Sequence, residues 1–456
     1  MELTTEQRDL RDAVRGLLTR HRQAAAAEPG AARAPSDGTE PGASREPGTG
    51  REPGAGREPG LAREPGLARE PGAAREPGAG DGAGPGYDVP LWQRLCGEIG
   101  VAGLAIPERY GGAGAGLVET CVVMEELGRG LVPSPLLGSV VLAGQALLAS
   151  GDEEACLRLL PGVASGEKVA ALAWAAQAGH WDPAAPAFAA RPAEPVSGTP
   201  PDEPLPPARS AGPLPRLAGG GGPGHGWALT GEAHHVLDGD TAGVLLAAAR
   251  APGGVGLFQV DPAQPAVTRR MVTTMDTTRR LAVVALDGAP GRCLGPGAGT
   301  RALARARDLA CIALAAEQAG AAQRALELTV AYTKTRVQFG RPIGSFQALQ
   351  HRMADLHVLV ESARSLCYAA ALATDDAEQD PGADSARPGM LAAAAKAHCS
   401  QALARAGGQM IQMHGAIGIT WEHDAHRYFK RAHGTGQLFG PPDEHVARIA
   451  AALIDG

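Results

Sequence analysis

Apolar positions recur at helical spacing in the opening segment, where Leu3, Leu10, Val14, Leu17 and Leu18 share one face over residues 2–22. Thr4 or Thr5 stands where an N-cap belongs. The periodicity lapses, resumes over 91–100, and is followed by the glycine-rich turn IPERYGGAG at 106–114. Helical patterns continue over 117–130, 136–150 and 152–160. From about residue 166 the pattern changes. VAALAWA, GWALTGEAHHVL, AGVLLAAAR, VGLFQVD and LAVVALDG are short apolar runs bounded by Gly, Pro or Asp, as strands of an antiparallel sheet are. Helical spacing returns over 300–334, 347–373, 387–414 and a last segment near 443–454. Helices, then strands, then helices predict an α+β fold. Its expected parts are an N-terminal helical domain (1–165), a middle antiparallel β-barrel or sheet domain (166–295) and a C-terminal four-helix bundle (296–456).

Two stretches carry no such pattern. From Arg45 a hexapeptide R-E-P-G-x-x repeats, with arginines at 45, 51, 57, 63, 69 and 75. Each proline removes a backbone donor, each glycine adds chain entropy, and almost no large side chain is present to bury. Residues 24–86 are therefore expected to be a disordered, roughly charge-balanced linker. Glycine does not fall at every third position, which excludes a collagen-like helix. The second stretch, 183–225, is rich in Pro, Ala and Gly and reads as an oversized disordered loop.

Charge narrows the class. The 42 basic and 49 acidic residues give a net charge of -7 without any basic stripe, so neither nucleic acid nor a membrane surface is an expected partner. Seven cysteines without a CxxC pair argue against a zinc site or a disulfide framework and fit a reducing cytoplasm. The N-terminus MELTTEQRDLRD is polar and does not read as a signal peptide. No apolar run is long enough for a membrane span. A soluble, cytoplasmic protein is expected.

Two phrases carry the chemistry: RVQFGRPIGSFQALQ (336–350) and QMIQMHGAIGITWEHDAHRYFKR (409–431). With PERYGGAG, VVMEELGRG and MDTTRR they resemble the acyl-CoA dehydrogenase family of flavoproteins over nearly the whole patterned chain. The resemblance implies FAD and α,β-dehydrogenation of an acyl-CoA thioester. In that chemistry a base takes the α-proton, hydrogen bonds steady the enolate, and the flavin accepts the hydride. Carried over by position, Arg336 reaches an FAD pyrophosphate, usually the neighbouring subunit's. Phe339 packs against the cofactor and Gln347 hydrogen-bonds it. Gln412, His414, Gly415 and Ala416 meet the adenosine half of a partner's cofactor, Ala416 standing where the family more often has glycine. The resemblance also implies electron-transfer flavoprotein as acceptor. His414 and His423 lack the spacing and third ligand that zinc needs, so no metal is expected.

The family's base does not carry over. It is a glutamate either in the last loop, a position that falls here on Phe439, or early in the helix before Arg336, which falls on Ala310. Neither side chain takes a proton. The Thr-Glu-Pro phrase that lies beside the flavin ring is replaced by AWAAQAGHWDP, leaving Trp174 to stack on the ring or to join the core. Two readings follow. The chain is a base-lacking subunit paired with a catalytic dehydrogenase chain, as in heterotetrameric members that act on bulky acyl-CoA substrates such as sterol derivatives. Alternatively it is a self-sufficient homodimer or homotetramer whose base is a displaced carboxylate, Asp308, Glu317, Asp443 or Glu444.

Overall fold

The computed structural model describes residues 3–27, 84–176, 179–193, 226–379 and 387–455. The expected linker and loop lie outside the described residues over 28–83 and 194–225. At their edges the sequence reading is corrected. Helix α1 (Thr5–Ala27) runs into the segment assigned to the linker. Residues 188–192, assigned to the loop, form a strand.

Thr4 starts α1 with a reciprocal box: its hydroxyl accepts from the Gln7 N–H at 3.2 Å, and the Gln7 side chain accepts from the Thr4 N–H at 3.1 Å. Asp88 caps α2 (Val89–Arg94), which widens into π turns over Leu95–Ile99. Then come α3 (Leu117–Arg129), π turns over Leu136–Gly144 that continue as α4 (Gln145–Ser150), and α5 (Glu153–Ala164). Val14, Leu17 and Leu18 of α1 are buried, as their spacing requires.

The middle part holds β1 (Ala170–Ala173), β2 (Phe188–Pro192), β3 (Trp227–Leu237), β4 (Val244–Ala251), β5 (Gly254–Val260), β6 (Val267–Val272) and β7 (Leu281–Leu294). Pairings β4–β2, β2–β3, β3–β7, β7–β5 and β5–β4 close a five-stranded ring, with β1 beside β4 and β6 beside β7. The expectation of a purely antiparallel sheet is corrected, because β1–β4 and β2–β4 are parallel. Strands separated by intervening elements, as these are, can enter a sheet in either direction. Alternate residues of β4 serve two cores. Leu245, Ala247 and Ala249 pack with Phe188 and Phe258, whereas Leu246 and Ala248 face the helices.

After the sheet come α6 (Gly299–Thr335), the small strands β8 (Val337–Gln338) and β9 (Arg341–Pro342), then α7 (Gln347–Gln379), α8 (Arg387–His414), α9 (Ala425–Gln437) and α10 (Pro442–Asp455). The sequence reading gives four helices here and the structure has five, α9 being the addition. Its buried face mixes Ala425, Tyr428 and Ala432 with the polar His426, Arg431 and Thr435, so its apolar stripe is short and broken. Helices α3 and α6 cross at backbone distance. A Cβ on Gly128 would fall 2.0 Å from the Glu317 carbonyl oxygen, and one on Gly320 would fall 2.0 Å from that of Glu125. Six of the seven cysteines are buried and all seven are unpaired.

Candidate cofactor corner and vacant base positions

Arg336 caps α6 in an extended conformation, its N–H donating to the Tyr332 carbonyl at 2.9 Å. The chain then folds into the β8–β9 hairpin, whose two loop residues, Phe339 and Gly340, have φ of 54° and 77°. A two-residue hairpin loop demands left-handed backbone. Glycine adopts it freely, while phenylalanine does so at a cost of roughly 1–3 kcal/mol. The Phe339 ring is nonetheless 92% exposed, touching only the edge of Phe346 among aromatic rings. Gln347, which opens α7, is exposed as well.

Gln412, Gly415 and Ala416 are exposed at the end of α8, and Gly415 has φ of 65° with open space where a side chain would be. His414 faces the other way. It is buried, its Nδ1–H donates to the Met410 carbonyl at 2.7 Å, and burial pushes its pKa down to about 4. Tyr332, one turn before Arg336, stacks on His414 with ring centroids 4.3 Å apart. The Tyr332 hydroxyl donates to the His414 carbonyl at 3.4 Å. One aromatic pair thus joins the two sequence motifs into a single corner, with Arg336 half-buried beside it.

The two base positions lie in the interior. Phe439 is 1% exposed with φ of 63°, and Ala310 is fully buried. They are linked through His445, whose Nε2–H donates to the Phe439 carbonyl at 3.1 Å and lies 4.0 Å from the Cys311 thiol, next to Ala310. Trp181 is buried between Trp174, at 5.5 Å, and Phe439, at 4.8 Å, meeting both edge-on. Trp174 is a core residue, its Nε1–H donating to the Asp182 carbonyl at 3.1 Å. Beneath this stack the fully buried Lys396 donates to Ser400 Oγ at 3.0 Å and to the carbonyls of Gly436 and Gly440 at 3.1 and 3.3 Å. Burial lowers its pKa to about 8.

The displaced carboxylates are engaged elsewhere. Asp308 accepts from Arg448 at 2.7 Å. Glu317 is buried between Arg279, at 2.6 and 2.7 Å, and Arg431, at 3.2 Å. Asp443 and Glu444 lie in the first turn of α10, where Glu444 approaches His180 at 3.7 Å. Beside Glu317 is a cavity of about 10 Å³, room for one water, whose wall includes Tyr87, Ser134 and Asp238. Desolvation raises the Asp238 carboxyl to about 7.

Trp181, Lys396, Arg279 and Arg431 were not singled out from the sequence. Lys396 within AAAAKAH carried a signal, because a charge in an apolar helical run must be buried with partners. Trp181, in a loop stretch of unreadable pattern, carried none.

A helical domain, a closed barrel and a helical C-terminal part, with family motifs joined at one corner, define a recognisable class. Residues 77–167 match the N-terminal domain of acyl-CoA dehydrogenases and residues 297–454 match the C-terminal domain. The chain belongs to the acyl-CoA dehydrogenase family, whose members are FAD-dependent. It is 40% identical over 369 residues to acyl-CoA dehydrogenase IpdE2 of Mycolicibacterium smegmatis, spanning 81% of this chain and 89% of that protein. The IpdE2 of Mycobacterium tuberculosis is also 40% identical, over 81% of this chain and 88% of the relative. Among solved structures, the Tcur3481–Tcur3483 steroid ACAD G363A variant superposes with a TM-score of 0.70 at 28% identity, over 99% of this chain and 98% of that one. The ChsE4–ChsE5 complex from Mycobacterium tuberculosis gives 0.67 at 28% identity, over 81% and 89%.

Proposed function

We propose that this chain is the base-lacking subunit of a heteromeric acyl-CoA dehydrogenase acting on a steroid-derived acyl-CoA. The observation that carries this reading is the Trp174–Trp181–Phe439 stack. It fills the space between the segment that the family places beside the flavin ring and the position of its loop base. With alanine at the second base position, neither place offers a proton acceptor. The carboxylates nearest in sequence are committed to arginines or sit on the surface.

The residues present fit one end of FAD and not the other. The half-buried Arg336 and the exposed Phe339, Gln347, Gln412, Gly415 and Ala416 suit a phosphate-and-adenosine end reaching in from a partner. A guanidinium pairs with a diphosphate in the plane of its fork. The glutamine amides supply hydrogen bonds, Gly415 admits close backbone approach, and Phe339 presents an apolar face. The Tyr332–His414 stack holds these groups in register. When bound, FAD supplies the two-electron acceptor for dehydrogenation. The base for the α-proton would come from the catalytic chain, and an electron-transfer flavoprotein would be the electron acceptor. Free thiols throughout fit a cytoplasmic location.

The two IpdE2 relatives support the family chemistry, and the two-component character of Tcur3481–Tcur3483 and ChsE4–ChsE5 supports the heteromeric assembly. The test is to purify the chain alone and with a glutamate-bearing family chain, then record flavin absorbance and acyl-CoA-dependent dye reduction. The expected result is a colourless, inactive chain alone and a yellow, active complex. A yellow homo-oligomer that turns over unaided would overturn the proposal in favour of a displaced carboxylate.

A further inference from the structure

A cleft of about 210 Å³ opens between α1, α3 and α6, well away from the corner just described. Its wall carries four guanidinium groups, those of Arg15 and Arg22 from α1, Arg129 from α3 and Arg324 from α6, against one carboxylate, Glu126. Twelve residues separate Arg324 from Arg336, which is about 18 Å along α6.

Three of the arginines are held by carboxylates. Arg15 grips Glu126 through two nitrogens at 2.8 and 2.6 Å. Arg129 grips Glu327 at 3.0 and 2.8 Å, and Arg324 reaches the same carboxylate at 3.4 Å. Those contacts fix the guanidinium planes, the Arg15–Glu126 pair on the cleft wall itself. Arg22 differs. Among the described residues it has no carboxylate partner, and one of its terminal nitrogens lies over Gly130, 3.7 Å from where a Cβ would be. Four guanidinium charges against the two carboxylates that pair with three of them, Glu126 and Glu327, leave the wall net positive and attract an anion.

We propose that this cleft binds the phosphate or diphosphate group of a small molecule. Guanidinium forks match tetrahedral oxyanions with paired hydrogen bonds, which a single lysine-like point charge does not. At about 210 Å³ the cleft has room for a diphosphate.

The experiment is isothermal titration of the full chain with sodium pyrophosphate and, separately, inorganic phosphate, at constant ionic strength set with sodium chloride. Saturable binding of pyrophosphate with Kd below about 1 mM is expected. Arg22→Glu should weaken it roughly tenfold or more, and Arg22→Gln by an intermediate factor. Because Arg22 is exposed, both variants should keep the parent's circular dichroism and the FAD content of the heteromeric complex. Heats no larger than those of matched sodium chloride, or an unchanged Kd in Arg22→Glu, would overturn the proposal. Loss of FAD from the Arg22→Glu complex would overturn it too, by making the cleft part of the cofactor site.

Discussion

At residue scale Trp181 fills the space between Trp174 and Phe439. Truncating it removes two edge-to-face contacts and leaves a cavity lined by Trp174 and Phe439. Trp181→Ala should therefore cost about 3–5 kcal/mol, read as a lower urea midpoint with an unchanged slope. The buried histidines set the acid limit. Burial, aided for His445 by the positive charge of Lys396 and Arg448, holds both His414 and His445 at about 4. In the unfolded chain a histidine titrates near 6.5. Between those values the unfolded chain binds protons that the folded chain does not, so stability is complete above about pH 6.5 and falls as pH drops toward 4. Urea titrations across that window should show the decline, and His445→Gln should make it shallower. A slope unaffected by that substitution would mean that His445 is not held neutral by the fold.

At the scale of elements, the crossing of α3 and α6 depends on two glycines, each seated against the other helix's backbone. Gly320→Ala has no flexible neighbour to displace, so the helices themselves must part. The expected loss is about 1–3 kcal/mol or more, measurable by thermal or urea unfolding. The EELGR phrase containing Gly128 was legible as a family mark, while the physical reason for the glycine became visible only with its partner helix in place. Legibility elsewhere followed the same logic. Helices with an apolar face were readable to within a few residues. The β3, β4, β5 and β7 runs were readable because each has apolar residues facing a core. Strand β2 was hidden because FAARP is short and ends in proline within a Pro- and Ala-rich stretch. Helix α9 was hidden because its apolar residues Ala425, Tyr428 and Ala432 are few and interleaved with buried His426, Arg431 and Thr435.

For the molecule as a whole, the helix–sheet–helix order was readable, since it rests on residue type and spacing. The joining of residues 336 and 412–416 was not readable, because Tyr332 and His414 are 82 positions apart and meet only when α6 and α8 pack. The same is true of the arginine cleft, assembled from three helices belonging to two parts of the chain. Tertiary packing also decides the fate of the sulfur atoms. Burial pushes the Cys96, Cys156 and Cys311 thiols up to about 12, 11 and 12 and Cys399 well above its ordinary range, while a hydrogen bond with Cys367, with burial second, does the same for Cys121. Only Cys293 is partly accessible in the folded chain. An alkylating reagent added to intact protein therefore meets one slow site, and each opening of the helical layers releases several fast ones. The rate of colour development with an aromatic disulfide becomes a built-in clock for unfolding, which requires no introduced label.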